Sequence, residues 1–599
     1  MGREDSHYRP EGVDGPKSVG SGSGGATGRV RVPGVGPAGR PGGSAPVGRP
    51  GATPPGAVGR ATPGRYDPAA ATPGRYGPAA AAPVSPPGGN AAGIPVSPPV
   101  PPYGAAPPPP PPPPARRGRG RLLAVLAGVL VVALAAVGLA VVRPGPIAGW
   151  LGGGAASPTA EARAAEPDPP AVLAGPDANA PEPTPEGVRA ALEPLVRAAA
   201  LGERVNVSVA DVATGQSLYG SGQDTPTVPA SVTKLATGVA VLAARGPAYR
   251  IPTRAVAGAE PGEVVLVGGG DPTLAVDKNG FYPGAARLDE LAAQVRTALG
   301  GTAPTRVTVD STLFTGPKFE PGWDADIPTG GFGAAITALM TDGARRDPET
   351  ARRTAEETNH AAERVPQPDL TAGRQFAKLL GLSGDAAEAK PGTAPAAPSA
   401  SANGAPAPGT ELGKVESLPL VRLVDIMISE SDNVIAETMA RQVALAKGKP
   451  ASFAGGAAAT DQVLGELGLP ADEISLADGS GLSRTDRISP SFLTDLLTLA
   501  GNGSHPELTA IFGGLPVGGW SGTLNDRYQA AVTKAGAGVV RAKTGTLTGV
   551  NAISGLVTTA DGRLLTFAVL TDQAPPDTLD ATRQALDRIT SALAGCGCR

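Results

Sequence analysis

Apolar residues fall along this chain in three textures. Residues 122–142, LLAVLAGVLVVALAAVGLAVV, form an unbroken apolar run without charge, long enough at 1.5 Å per residue to cross the hydrocarbon core of a bilayer. Residues 1–121 and 143–183 have no apolar period. Beyond Thr184 the periodic texture begins. Pro185–Ala200 has helical spacing, with Val188, Leu192 and Leu195 on one face. VNVSVADVATGQSLYGSG alternates at Val205, Val207 and Val209 ahead of a Thr214-Gly215 turn, which predicts a hairpin. Ser231–Ala244 reads as a buried, apolar helix.

From about 255 the texture changes again. Short strands at Val264–Val267 and Val307–Val309 alternate with a helix at Leu288–Ala298, and a second helix at Leu370–Leu380 runs into the Ala/Pro/Ser/Gly-rich stretch 384–410. That stretch has no apolar period and is expected to be a mobile excursion that adds nothing to a core. Residues 255–414 are therefore expected to be an inserted accessory region. After it the chain returns to a strand (Val415–Leu420), a long helix (Leu423–Ala446), further helices and a late hairpin, Gly538–Lys543 with Asn551–Thr558. The main body is thus divided into 184–254 and 415–599. Strands at both ends of a helical middle predict one α/β domain interrupted by an insert.

Composition sharpens the picture at the N-terminus. The 85 Gly and 67 Pro are densest in 1–121, 144–186 and 384–410, and the arm 1–121 cannot bury enough apolar surface to fold. It holds a tandem repeat, ATPGRYDPAA then ATPGRYGPAA at 61–80, and eight prolines at 107–114. A polyproline II rod suits aromatic-lined grooves, so a cytoplasmic partner is one reading of the arm and a disordered spacer the preferred one. The arm carries 14 Lys/Arg against 5 Asp/Glu, and the remainder 37 against 49. The basic arm suits anionic headgroups, and the acidic body has no nucleic-acid footprint. Arg116, Arg117, Arg119 and Arg121 precede the apolar run and Arg143 alone follows it. The N-terminus is therefore expected in the cytoplasm and the body outside the cell membrane. Small residues at Gly154–Ser157 offer a cleavage point, but the run is longer than a signal peptide's and begins far from the N-terminus, so an uncleaved anchor is expected.

Two cysteines, Cys596 and Cys598, sit at the extreme C-terminus, too close and too peripheral to staple a fold, and a frayed tail with exposed thiols is expected. Only His7, His360 and His505 are present. That scarcity argues against a Ser-His-Asp hydrolase or a His-rich metal site.

Candidate chemistry lies in three short motifs, in order: Ser231-Val-Thr-Lys234, Ser431-Asp432-Asn433 and Lys543-Thr544-Gly545. A serine hydroxyl needs a base within hydrogen-bond reach. Three residues along a helix return to the same face, so Lys234 can sit beside Ser231 Oγ. To act as base it must be neutral, which partial burial and a second cation, Lys543, would favour. The N–H of Ser231, at a helix start, is placed to hold an oxyanion. Ser431 can pass a proton between Lys234, Lys543 and a leaving amine, and Asn433 has a donor and an acceptor with which to grip an amide. Lys543–Thr546 fits the end of an edge strand. A substrate could lie there as an added strand, its terminal carboxylate held by Lys543, Thr544 and Thr546, with Gly545 leaving room for the approach. S-x-x-K or S-x-N alone arises by chance about once in such a chain and Lys-Thr-Gly about once in ten such chains, so only the ordered triple is specific.

The triple is similar to the active-site set of serine penicillin-binding proteins and β-lactamases. Longer strings resemble one family, the low-molecular-mass class C D-alanyl-D-alanine carboxypeptidases/endopeptidases: Leu266-Val-Gly-Gly-Gly-Asp-Pro-Thr-Leu274, Asp478-Gly-Ser-Gly-Leu-Ser483, Leu515-Pro-Val517 with Gly522-Thr523-Leu524, and Ala542-Lys-Thr-Gly-Thr-Leu547. The resemblance covers about 184–595 and is weakest over 325–414. It implies an α/β (α+β) penicillin-binding, β-lactamase-like transpeptidase fold, an antiparallel sheet covered by helices with an accessory insert. It implies Ser231 as acylated nucleophile, Lys234 as base, Ser431 with Lys543 as proton relay, Asn433 positioning the substrate, and Thr544 and Thr546 binding its carboxylate. The N–H groups of Ser231 and Thr546 would form the oxyanion hole, with no metal or other cofactor. The implied partners are peptidoglycan stem peptides ending in D-Ala-D-Ala, with β-lactams as covalent inhibitors.

Two other readings compete. A β-lactamase would need a deacylating carboxylate, and Glu466 lies roughly where one would follow the second motif, but Pro470 replaces the expected asparagine. A β-lactam sensor without turnover would need an inward signalling domain, and the arm contains none.

Overall fold

The computed structural model describes residues 179–398 and 406–598. The arm, the apolar run 122–142 and most of the linker lie outside the described residues. Among the described residues no helix is long and apolar enough to cross a membrane. The strands in chain order are β1 (Val205–Asp211), β2 (Ser217–Ser221), β3 (Pro252–Ala257), β4 (Glu263–Val267), β5 (Arg306–Asp310), β6 (Lys390–Pro391), β7 (Glu411–Glu416), β8 (Ile474–Ser475), β9 (Arg487–Ile488), β10 (Val540–Leu547), β11 (Val550–Thr558) and β12 (Leu564–Thr571). The main helices are α1 (Pro185–Val196), α2 (Thr233–Arg245), α3 (Leu288–Ala298), α4 (Pro368–Leu379), α5 (Leu420–Ser429), α6 (Asn433–Ala446), α7 (Phe453–Glu466), α8 (Pro490–Gly501) and α9 (Leu579–Ala594).

The first sheet runs β10-β11-β12-β1-β2 and is antiparallel throughout. Period 2 sends alternate residues of each strand to opposite faces. Val207, Val209, Ile553, Val557, Leu565, Phe567 and Val569 pack with Val188, Leu192, Leu586, Ile589 and Leu593 of α1 and α9. Ala552, Ala568 and Leu570 face a second core built from α2, α5, α6 and α8. The alternation that marks the first hairpin does not give a wet face. Asn206 Nδ2 donates to Thr227 Oγ1 at 2.6 Å and Ser208 Oγ shares a 2.8 Å bond with Thr494 Oγ1 of α8, which satisfies polar groups that burial would otherwise penalise.

The second sheet, β6-β5-β4-β3-β7, is mixed. β3 pairs antiparallel with β4 and β7, and β4-β5 and β5-β6 are parallel. Leu288, Leu291 and Val295 of α3 and Phe376 of α4 cover it. The sheet takes in 252–416, wider than 255–414. The strand expected at Val415–Leu420 for the peptidase part is β7, shifted to Glu411–Glu416 and paired with β3, so it closes the insert.

Three further expectations are corrected. The stretch 384–398 is part of the insert: β6 pairs with β5, Ala387 and Ala389 are in the core, and Ala394 N donates to Asp310 Oδ2 at 2.8 Å; residues 399–405 of the stretch are outside the described set. The single helix over Leu423–Ala446 is two helices, because the chain turns at Ser431 (φ +56°) and Asp432 caps α6, its Oδ1 accepting from Ile435 N at 3.0 Å. The C-terminal tail does not fray. Cys596 is buried and disulfide-bonded to Cys598, and Cys598 O accepts from Thr184 N at 2.7 Å, tying the tail to the start of α1.

Candidate active site

Ser231 lies in a 3-10 turn, Ala230–Val232, just ahead of α2 rather than at its first helical residue. Two glycines let the chain close around this turn. A Cβ on Gly481 would sit 1.9 Å from Ala230 O; one on Gly545 would sit 2.7 Å from Pro229 O and 3.0 Å from Ser231 N. β10 therefore passes directly over the backbone that carries the serine.

α2 is buried on nearly every side, and Lys234 is buried with it. A lysine is tolerated in such a helix only with partners for its ammonium. Lys234 Nζ donates to Ser231 Oγ at 2.9 Å, to Asn433 Oδ1 at 2.6 Å and to Ser480 O at 2.7 Å. Burial lowers its pKa to about 8, against the opposing pull of Asp478, Glu437, Asp432 and Asp486. Lys543, also fully buried, is pushed well down by burial and by the Lys234 charge, and its Nζ donates to Thr544 O at 2.7 Å.

β10 is an edge strand whose first half is covered. Val540 O accepts from Gly518 N, and Ala542 N donates to Pro516 O, both at 2.9 Å. Strand alternation then points the N–H groups of Thr544 and Thr546 toward that same outer edge. Thr544 Oγ1 shares a 2.8 Å hydrogen bond with Thr523 Oγ1, and Thr546 is exposed. The geometry can receive an extended peptide beside residues 544–546 with its carbonyl near Ser231 Oγ.

The structure thus brings Ser231, Lys234, Asn433, Thr544, Gly545 and Lys543 to one place, with two departures from expectation. Asn433 is engaged on both sides: Oδ1 accepts a hydrogen bond from Lys234 Nζ and Nδ2 donates to Phe332 O of the insert at 3.0 Å. In this state it pins the base rather than presenting free groups to an amide. Ser431 sits on the turn between α5 and α6, and among the described residues no side-chain hydrogen bond joins it to either lysine.

Sequence reasoning missed the groups beneath Lys234. Asp478 organises the loop that offers Ser480 O: Oδ1 accepts from Ser480 N at 3.0 Å and Gly481 N at 2.7 Å, and Oδ2 from Ser483 N at 2.8 Å and Trp323 Nε1 at 2.7 Å. Glu437 accepts from Gly479 N at 3.2 Å; burial and Asp478 push its pKa up to about 8, opposed by Arg441. The string Asp478–Ser483 was a usable signal, since Asp and Gly so spaced make side-chain-to-backbone turns. Glu466 is exposed at the end of α7 and bonded to Lys447 and Gln462, which removes the support for a deacylating carboxylate there.

A family model described as the D-Ala-D-Ala carboxypeptidase 3 (S13) family matches residues 188–391 and 353–593. The chain is 39% identical over 447 residues to a carboxypeptidase of Mycobacterium tuberculosis, covering 73% of this chain and 90% of that one. It is 37% identical to a carboxypeptidase of Mycolicibacterium smegmatis, covering 73% and 91%. Among solved structures it resembles penicillin binding protein 4 of Haemophilus influenzae, with a TM-score of 0.53 at 21% identity over 68% of this chain and 97% of that one, a likeness of fold.

Proposed function

The chain belongs to the D-Ala-D-Ala carboxypeptidase 3 (S13) family, and from that premise we propose that its chemistry runs through Ser231 as nucleophile and Lys234 as general base. It is a serine-type D-Ala-D-Ala carboxypeptidase, a hydrolase of peptidoglycan stem peptides. The observation that carries the assignment of roles is the 2.9 Å contact between Lys234 Nζ and Ser231 Oγ, with Lys234 buried and its pKa lowered to about 8 by that burial.

Ser231 Oγ attacks the carbonyl carbon of the penultimate D-Ala as its proton passes to Lys234 Nζ. The carbonyl oxygen becomes an oxyanion facing the N–H groups of Ser231 and Thr546. Collapse breaks the peptide bond, and the departing D-Ala amine takes, by way of Ser431, the proton that Lys234 received from Ser231. Lys543, Thr544 and Thr546 hold the terminal carboxylate. Water then attacks the acyl-enzyme ester, which releases the shortened stem peptide and restores Ser231. A β-lactam follows the first half of this route, but its amine stays tethered and obstructs the water. In a cross-linked stem peptide the amine that departs is the cross-link's rather than that of a terminal D-Ala, and the acyl-enzyme that water then hydrolyses is the same, so endopeptidase action needs no second site.

Residues 122–142 are best read as a single membrane span, with the arm in the cytoplasm and the peptidase outside. The charge-free run and the arginines at 116, 117, 119 and 121 support this. The arm is then a spacer whose eight-proline run could meet a cytoplasmic partner. Protease added to intact, wall-stripped cells should degrade the peptidase and spare the arm; protection of the peptidase would overturn the topology.

The enzymatic reading is tested by mass spectrometry of defined muropeptides, cross-linked and linear, incubated with the full chain. Loss of one alanine mass from linear pentapeptides is expected, with none in Ser231→Ala. Intact pentapeptide with the parent, or cleavage by Ser231→Ala, would refute it.

A further inference from the structure

The accessory insert reaches the catalytic loop through a buried polar cluster centred on Asp432, the residue between Ser431 and Asn433. While Asp432 Oδ1 caps α6, Oδ2 is taken from the insert: Tyr282 OH donates at 2.7 Å and Arg345 Nη2 at 3.1 Å. Arg345 Nη1 donates to the same Tyr282 OH at 2.7 Å, and the guanidinium lies 3.7 Å from the Phe281 ring centroid. Asp432, Arg345 and Tyr282 are 7%, 5% and 3% exposed. Burial alone would raise the Asp432 carboxyl, but the Arg345 and Arg364 charges hold it well below the usual range, so it is an anion.

The backbone that aims Arg345 is strained. Asp342, Gly343 and Ala344 have φ of +53°, +61° and +63° in succession, a region that residues with a Cβ avoid. Asp342 N donating to Leu274 O at 2.8 Å, Gly343 N to Pro272 O at 2.7 Å and Val365 N to Ala344 O at 2.9 Å hold it there. Strain of this kind persists only where surrounding structure over-determines it, and it marks places where a side chain must be aimed. The receiving side is strained as well, at Ser431. A second insert contact, Asn433 Nδ2 to Phe332 O, falls on the same loop.

We propose that Tyr282 and Arg345 are positioning residues: the insert latches the Ser431–Asn433 loop through Asp432, and so holds Asn433 Oδ1 against Lys234 Nζ and Lys234 against Ser231 Oγ. The insert is then part of the catalytic apparatus without touching the reacting atoms. The proposal rests on the Ser231–Lys234 assignment above.

The test uses the full chain, a fluorescent penicillin and stopped-flow acylation at varied ligand concentration, which separates the acylation rate constant from the dissociation constant of the pre-covalent complex. Tyr282→Phe deletes one oxygen, and Arg345→Lys keeps the charge but loses the fork. Both should lower the acylation rate constant at least tenfold, with the dissociation constant within threefold of the parent, at temperatures where melting curves show full folding. Should Arg345→Lys fail to fold, Tyr282→Phe decides alone. Rate constants within twofold of the parent, or a loss carried entirely by the dissociation constant, would overturn the latch. A parent that forms no adduct, or Ser231→Ala that still does, would instead sink the underlying assignment of the nucleophile.

Discussion

Changing the pH between 6 and 9.5 is a mild perturbation of the Ser231–Lys234 pair, because the Lys234 pKa of about 8 lies inside that window. An ordinary lysine at 10.5 would be neutral in about one molecule in 3,000 at pH 7, whereas one at about 8 is neutral in about one in ten, a gain of roughly 300-fold in competent enzyme. The shift comes from burial, which penalises the ammonium, and the carboxylates of Asp478, Glu437, Asp432 and Asp486 offset part of it. The same shift has a stability consequence of fixed sign. Between about pH 8 and 10.5 the unfolded chain binds a proton at Lys234 that the folded chain does not, so stability rises with pH across that window, by roughly 3 kcal/mol from this group. Glu437, pushed to about 8, titrates in the same range, and its ionisation holds the proton on Lys234. Acylation of the full chain by a fluorescent penicillin should therefore climb with pH through a midpoint near 8 and level above about pH 9. In Glu437→Gln the midpoint should move down. Lys234→Arg keeps the charge but cannot give a neutral base, so acylation should fall at least about a hundredfold. A flat profile from pH 6 to 9.5, or an arginine variant within tenfold of the parent, would show that Lys234 is not the base and make Lys543 acting through Ser431 the candidate.

Two other substitutions probe the frame of the site. In Gly545→Ala the new methyl would lie 2.7 Å from Pro229 O and 3.0 Å from Ser231 N, both backbone atoms, so acylation should fall at least about a hundredfold through loss of that oxyanion donor while circular dichroism shows a folded chain; acylation within threefold of the parent would refute the close approach. The buried pair of Asp211 and Arg563 joins β1 to the loop before β12, with side chains 0% and 7% exposed. Asp211→Asn should cost about 3–5 kcal/mol in thermal unfolding. Burial raises the Asp211 carboxyl, but bonds from Arg563 and Thr214 more than offset it and leave the pKa below 3.8. Its contribution is thus present above the ordinary carboxylate range and lost as pH falls through the lower folded value, and an asparagine variant as stable as the parent would contradict this.

What could be read from the sequence followed the range of the interaction. α3 was legible at its full extent, Leu288–Ala298, because its core face is spelled out by Leu288, Leu291 and Val295 at helical spacing. β12 escaped notice because it lies inside the sheet with both faces covered, so LLTFAVLT has no alternation to betray it. α9 was not read even though Leu586, Ile589 and Leu593 repeat at helical spacing, so there the signal existed. The stretch 384–398 failed for a different reason. Ala387 and Ala389 are small enough to fill the space above β5 without any large apolar side chain, and composition alone cannot tell buried alanine from linker alanine.

The site divides along the same line. Ser231 with Lys234, and Lys543 through Thr546, depend on one turn of helix and one strand edge, geometries that residue spacing fixes directly. The acceptors that hold the base are another matter. Ser480 O and Phe332 O are backbone carbonyls, which any residue can supply, so no residue type announces them. Tyr282 and Arg345 come from positions 150 and 87 residues away from Asp432 in the chain. Their role could have been sought only through the backbone that aims them. The string Leu266–Leu274 stood out by resemblance, and its physical use is now visible: Pro272 O and Leu274 O hold the left-handed turn before Arg345. A segment remote from the three motifs therefore shares their constraint, because Asp432 is anchored to the insert by the same residues that this turn directs. Shortening the insert in a way that frees Asp342–Ala344 would release the catalytic loop even if every residue of the three motifs were left in place.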